Sequence, residues 1–428
     1  MRILFLTVAN KSHIYVPTTL AWALRTAGHE VCVVSQPELS DVITATGLTG
    51  ATVGKAANEE LTTQMNEADP TAAPVPGDPP ERNPRQAEYA QDDPALEFTQ
   101  LVEHLFPVMN PDDMIDDLVA FARRWRPDLV IWDMLCYGGP IAARAAGAAH
   151  ARLPLGTDGI GQLREVFLRE RPDPAADPLR TWLEPKLDAF GEQFAEDVAL
   201  GQWTIDPMPS WTYHPRGVHF VPMRHIPFNG PAIVPDWLYE PPAKPRVCIT
   251  LGNSHRDAGR VEVSAKELVT AVADLDIEVV ATFAKAQLAD LPDLPGNVRA
   301  LDWVPLNQLL PTCSVLVHHG GAGTFAGAVE HGVPQLLMPS TWWSEKWYGP
   351  VAMANGVEDE GAGLYVADSD WVTADRFREC LLRVLREPSF QANAARLRDR
   401  WMAVPTPNEL VPTLERLVAR HRRTALAA

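Results

Sequence analysis

Apolar residues along this chain fall into short runs of strand length, separated by stretches with helical spacing. Residues 1–8, MRILFLTV, have the pattern of a buried strand. ANKSHIY reads as a polar loop. A helix is predicted over TTLAWALRTA, opened by Pro17 and ended by Gly28, because proline suits a first helical turn and glycine the residue past the last. EVCVVS is the next strand, completing a βαβ unit, the seed of a parallel sheet. DLVIWD, near residue 128, is another buried strand, and PIAARAAGAA another helix.

Two stretches break the rhythm. Residues 58–95 crowd Pro70, Pro74, Pro76, Pro79, Pro80, Pro84 and Pro94 into an acidic, apolar-poor segment. That composition predicts a mobile loop or lid, or a solvated insertion with no role. Residues 221–245, VPMRHIPFNGPAIVPDWLYEPPAKP, are dense in proline, which makes a stiff linker and the clearest domain boundary. The alternation then restarts with RVCITLG (strand), VSAKELVTAVADL (helix), IEVVATF (strand) and CSVLVHH (strand), and a helix over 409–423 closes the chain. The expected fold class is α/β, with two doubly wound, Rossmann-like domains facing across a cleft.

Charge narrows the function. A net charge of −18 opposes nucleic-acid binding and docking on anionic membranes, because both present phosphates. An anionic small ligand still fits a local pocket of N–H groups and a few cations. Cys32, Cys136, Cys248, Cys313 and Cys380 are odd in number, widely spaced and without a CxxC pair, so reduced thiols in a cytoplasmic protein are expected, with neither a disulfide framework nor a zinc site. ILFLTV is too short for a signal-peptide core, and no apolar run reaches the ~20 residues of a membrane span.

Candidate chemistry concentrates in residues 315–339, VLVHHGGAGTFAGAVEHGVPQLLMP. The strand SVLVHH, the turn GGAG and the helix TFAGAVEH, stopped by Gly332 and Pro334, place glycines where a parallel strand feeds a helix N-terminus. Such an end exposes unpaired N–H donors and carries about half a positive charge, which suits a diphosphate. His319 can add a donor and Thr324 a hydroxyl. A turn needed only for tight helix–sheet packing explains the spacing equally well. The motif is not a P-loop, since no Gly-Lys-Ser/Thr follows, and it is not a full GxGxxG. In the first half, His13 lies just past the end of the first strand and Asp133 ends the strand DLVIWD, both on the edge where parallel sheets bind ligands. A histidine with an ordinary pKa near ~6.5 can accept a proton at neutral pH. An incidental loop histidine and a helix-capping aspartate are the plainer alternatives.

Resemblance adds to this reading. DWVPLNQLLPTCSVLVHHGGAGTFAGAVEHGVPQLLMP resembles the nucleotide-sugar signature of family 1 glycosyltransferases. FLTVANKSHIYVPTTLAWALRTAGHEVCVVSQPELSDVITATGLT resembles the bacterial branch that attaches deoxysugars to polyketides and macrolides. The likeness spans nearly the whole chain. It implies the GT-B architecture: an acceptor domain over 1–220, the linker 221–245, a nucleotide-sugar donor domain over 246–405, and a closing helix over 406–428 that crosses back. Trp303 matches the aromatic that stacks on the donor base, with the Val304 backbone able to read a base edge. His319 matches the histidine that bonds the diphosphate, with Gly320, Gly321, Gly323 and Thr324 around it. Ser254 matches a phosphate-contacting serine, and Asn253 is its weaker neighbour.

Departures from the family pattern also inform. Plant members have glutamate and glutamine, which hold ribose hydroxyls, where this chain has Gly327 and Leu306. A donor without a 2′-hydroxyl would not miss them, so a dTDP-sugar is expected over a UDP-sugar. In PSTWWSEKW, Ser344 and Glu345 are the nearest candidates for holding sugar hydroxyls, and Trp342 and Trp343 suit the apolar faces of a deoxygenated sugar.

The expected reaction is inverting, with His13 as general base, Asp133 orienting it, and no metal or cofactor. The DSD at 368–370 resembles the DxD of metal-dependent transferases, but helix capping accounts for it. The expected partners are a nucleotide sugar and a hydrophobic polyketide-type aglycone, with O-attachment over C-attachment. The resemblance leaves room for a homodimer and for a haem-protein-like helper. Competing readings are a UDP-sugar enzyme, a nucleotide-sugar epimerase of the same architecture, and a catalytically silent sugar-nucleotide-binding partner of another transferase. HHGGAGT speaks against the epimerase and His13 against the silent partner.

Overall fold

The computed structural model describes residues 1–56, 93–171, 173–251, 265–283, 294–339 and 349–422. Two all-parallel sheets organise them. The first has β1 (Arg2–Leu6), β2 (Glu30–Ser35), β3 (Gly50–Thr52), β4 (Leu129–Asp133), β5 (Ala149–Leu153), β6 (Trp203–Asp206) and β7 (Phe220–Pro222), in the order β3-β2-β1-β4-β5-β6-β7. The second has β8 (Arg246–Thr250), β9 (Glu278–Thr282), β10 (Val298–Leu301), β11 (Val315–His318), β12 (Gln335–Leu337) and β13 (Gly363–Tyr365), in the order β10-β9-β8-β11-β12-β13. Strand order reverses between β1 and β4 in one sheet and between β8 and β11 in the other. Ligands of open α/β sheets bind beyond the strand ends at such switch points. His13 follows β1, Asp133 ends β4, and the glycine loop follows β11, so topology alone brings these motifs to the two crevices.

Several element boundaries differ from the sequence expectation. The first helix spans Lys11–Thr26 and absorbs most of the expected loop. Asn10 starts it, its side chain accepting the Ser12 N–H, and that cap outweighs the signal at Pro17. Pro17 lies inside the helix, at the cost of the one hydrogen bond that its nitrogen cannot donate. The helix expected over 140–149 ends at Ala145, and its last residue joins β5. Of the proline-rich segment, Asp93 and Pro94 open the helix Pro94–Gln100. The expected lid over the rest of that segment lies outside the described residues. β7 carries the first sheet to Pro222, two residues into the expected linker.

Apolar residues from β1, β2 and β4 pack on both faces of the first sheet, and those of β5 on one. The closing helix Pro407–His421 returns to this sheet, placing Leu410, Val411, Leu414, Leu417 and Val418 beside Ile14, Leu20 and Leu24 of the first helix. Each such side chain contributes roughly 1.5–3 kcal/mol against exposure. A capping box between Thr406 and Glu409 fixes where that helix starts. The lobes also meet through the loop after β6. Met208 and Trp211 enter an apolar cluster with Phe325, Val329 and Met353 of the second lobe. The Trp211 and Phe325 rings lie 5.6 Å apart. Among the described residues, no helix is long and apolar enough to cross a membrane. None of the five cysteines forms a disulfide.

Candidate active site

The first crevice holds an imidazole against a carboxylate. His13 Nδ1 lies 2.6 Å from Asp133 Oδ2, and the two side chains are 12% and 6% exposed. A carboxylate only accepts, so Nδ1 carries a proton, and in the neutral ring Nε2 is then the acceptor. Asp133 is itself held: its Oδ1 accepts the Leu135 N–H at 2.9 Å. The plainer reading of Asp133 as a helix cap does not describe it. The helix Gly138–Ala145 has no side-chain cap at its first residue, and Asn110 Oδ1 takes the Gly138 N–H.

The second crevice is built around two histidines with different surroundings. His318 is buried at the end of β11. Its Nε2 donates to Gln335 Oε1 at 2.9 Å, and its Nδ1 accepts the Gly320 N–H at 3.2 Å. Burial pushes its pKa down to about 4, against a raising contribution from Gln335. His318 is therefore a neutral strut that sets the start of the glycine loop. His319 instead lines a cavity between the lobes.

The glycines divide in the same way. Gly320 has φ +93°, and a Cβ there would meet Pro350 Cβ at 2.6 Å. Its lack of a side chain is thus required by the protein's own packing, whatever its backbone contributes to the donor site. Gly321 precedes the helix Ala322–His331, which ends at Gly332 in the left-handed region. A Cβ on Gly323 would meet nothing within 4 Å. Among the described residues, the helix N-terminus is therefore open where Gly323 and Thr324 stand.

The cavity has a volume of about 220 Å³ and draws its walls from both lobes. Lys11, Ser12 and Tyr15 of the first helix face Gly321, Gly323 and Thr324 of the glycine loop. Leu306 and Gly327 form apolar wall, and Glu330 lies further along the same helix. The linker supplies His225, Pro227, Phe228 and Asn229. Phe228 stands edge-on to Tyr15, with ring centres 5.1 Å apart, tying the linker to the first lobe. A separate, water-sized pocket of about 10 Å³ adjoins His13 and Asp133, and Leu155 lines both spaces.

Other expected site residues lie elsewhere. Trp303 is 39% exposed just past β10 and does not line the cavity. Val304 is buried with Leu309, Leu310 and Leu316, so only its backbone is on offer. Asn253, Ser254, Trp342, Trp343, Ser344 and Glu345 fall outside the described residues. Asp368 does not cap the following long helix. It accepts the Tyr365 hydroxyl, and Thr373 caps the helix Ala374–Arg386. Lys11 and His225 were missed by sequence reasoning. Lys11 sits two residues before His13 in NKSH, a signal open to use, whereas nothing in the proline-rich linker marks His225.

Two family models account for most of the chain: the N-terminal domain of erythromycin biosynthesis protein CIII-like proteins matches residues 22–252, and the C-terminal domain matches residues 266–417. The chain belongs to the erythromycin biosynthesis protein CIII-like family. Within it, the chain is 49% identical to the aclacinomycin-T 2-deoxy-L-fucose transferase of Streptomyces galilaeus, over 99% of this chain and 97% of that protein. It is 42% identical to the 10-deoxymethynolide desosaminyltransferase of Streptomyces venezuelae, over 99% and 98%. The solved structure of the glycosyltransferase VinC in complex with dTDP superposes with a TM-score of 0.82 at 41% identity, covering 98% of this chain and 100% of that one. The two lobes of this family member are thus a GT-B glycosyltransferase fold, as expected from the resemblance.

Proposed function

We propose that this protein is an inverting glycosyltransferase that moves a deoxysugar from a dTDP-sugar to a hydroxyl of a hydrophobic polyketide-type aglycone, without a metal. The observation that carries the reading is the His13–Asp133 pair at one crevice, set across a cleft from an open helix N-terminus at the other. His13 Nε2 takes the proton of the acceptor hydroxyl. Asp133 holds the ring in the tautomer that can do so and stabilises the imidazolium that forms. The acceptor oxygen attacks the anomeric carbon from the face opposite the diphosphate, the glycosidic C–O bond forms as the C–O bond to phosphate breaks, and dTDP leaves. Its negative charge meets His319, Thr324 and the N–H groups at Gly321 and Gly323. The base extends beyond the cavity toward the exposed Trp303 ring and the Val304 backbone.

Support for the donor and acceptor classes comes from the relatives, whose names specify 2-deoxy-L-fucose and desosamine transfer, and from the dTDP bound to the solved neighbour. The apolar lining at Leu306 and Gly327 agrees with a nucleotide lacking a 2′-hydroxyl. The test is incubation with a panel of dTDP-deoxysugars and of anthracycline and macrolide aglycones, read by mass spectrometry. The anomeric configuration of donor and product is compared by NMR. Retention of configuration, or transfer from UDP-glucose alone, contradicts the proposal.

A further inference from the structure

The two lobes touch at a point that the mechanism above does not use. A Cβ on Gly156 would stand 2.9 Å from Ala322 Cβ, and among the described residues no other atom beyond its chain neighbours lies within 4 Å of it. Gly156 belongs to the loop after β5, and Ala322 is the first residue of the helix Ala322–His331, between Gly321 and Gly323. The same loop reaches the catalytic pair of the first lobe. Pro154 and Leu155 line the small pocket beside His13 and Asp133, and Leu155 also lines the cavity at the glycine loop. Gly156 is the next residue. Three consecutive residues thus run from the imidazole of one lobe to the helix N-terminus of the other.

Both sides of the contact are held. Asp158, two residues past Gly156, is buried; its Oδ1 accepts the Gly161 N–H at 2.9 Å and so caps the helix Gly159–Glu170. Its Oδ2 pairs with the buried guanidinium of Arg152, on β5. Breaking a buried ion pair is strongly destabilising, so the loop stays anchored at both ends. On the other side, the Phe325 N–H donates to Gly321 O at 2.9 Å, and the buried Phe325 ring packs with Val329 and Leu337. The Gly156 backbone has no positive φ, so alanine is free to adopt it. Only the facing lobe opposes a side chain there. Carbon atoms settle about 3.5–4.0 Å apart, so a methyl group at position 156 would push the lobes apart by roughly 0.5–1 Å.

We propose that Gly156 is a positioning residue for transfer: its missing side chain lets the loop after β5 meet the helix Ala322–His331 directly, and that contact sets how closely His13 approaches the donor. The inference rests on the transfer reading above. A double-mutant cycle of Gly156→Ala and Ala322→Gly in the full chain tests it, with the donor and acceptor of the panel above that react fastest. Gly156→Ala should lower kcat by roughly tenfold or more, since a misplacement near 1 Å can cost about 10²-fold. Its TDP affinity, measured by calorimetry, should stay within about twofold of wild type. In the Ala322→Gly background, where the opposing methyl group is gone, the same change should lower kcat less than about threefold. An equal loss in both backgrounds, no loss in either, a matching loss of TDP affinity, or a Gly156→Ala chain that does not fold overturns the inference and leaves the transfer reading standing. A wild type that transfers no sugar from any donor of the panel overturns both.

Discussion

His13 and Asp133 are 120 residues apart in the chain, and their side chains meet at 2.6 Å. The meeting follows from sheet order: β1 and β4 are parallel neighbours, with Leu6 opposite Trp132, so the segments leaving both strands emerge side by side. Asp133→Asn tests what the pair does. The amide can donate to Nδ1 and so favour the tautomer that carries its proton on Nε2, where it cannot act as a base. Turnover should fall by roughly 10²–10⁴, the usual worth of general-base catalysis. TDP affinity should stay within about twofold of wild type, a change well under 1 kcal/mol. Steady-state kinetics with calorimetric TDP titration checks both.

The glycine loop predicts two opposite outcomes. Gly320→Ala forces a side chain into the left-handed region and against Pro350, so stability should fall by about 2 kcal/mol or more. Gly323→Ala sits in a helix with open space above it, so stability should hold or rise by up to ~1 kcal/mol. The new methyl group occupies the anion site, however, and TDP affinity should drop at least about tenfold. Urea unfolding paired with TDP titration separates the two effects.

His318 predicts an acid-labile fold. Its pKa is near 4 when folded, below the ordinary histidine value in the unfolded chain, so the unfolded state binds more protons in between. The contribution is present in full above about pH 6.5 and is lost as pH falls toward 4, on the order of 3 kcal/mol in all. Replacing His318 by Asn should flatten the fall in unfolding free energy between pH 7 and pH 5. Urea titrations at the two pH values, on both proteins, check it.

Trp211 predicts coupling between the lobes. Its ring lies against Phe325, on the helix that carries the glycine loop, and within 3.1 Å of where a Cβ on Gly356 would stand. Trp211→Ala should cost roughly 2–4 kcal/mol of stability as the cluster loses its largest contributor from the first lobe. It should raise KM for donor and acceptor together, because the cleft walls come from both lobes. Differential scanning calorimetry and two-substrate kinetics report these effects.

Much of this was legible in the chain. The apolar runs at 1–8, 128–133 and 246–252 marked strands because parallel strands are covered on both faces. The glycine loop was visible because its turn residues have few alternatives. Boundaries were harder: Pro17 masked a helix already begun at Asn10, and Pro94 looked like loop though Asp93 makes it a first turn. The roles of His318 and Gly320 depend on Gln335 and Pro350, partners distant in sequence that no local pattern announces. Asp368 followed a similar course, answering to Tyr365 rather than to the helix after it.

The account turns on His13 as the base that readies the acceptor while the other lobe holds the nucleotide. Its most direct test is the single-turnover rate of glycoside formation by His13→Ala at saturating donor, with TDP affinity measured on the same preparation. The account predicts a rate at least about 10²-fold below wild type with TDP affinity unchanged. Transfer within a few-fold of wild type, from a variant that binds TDP normally, contradicts it.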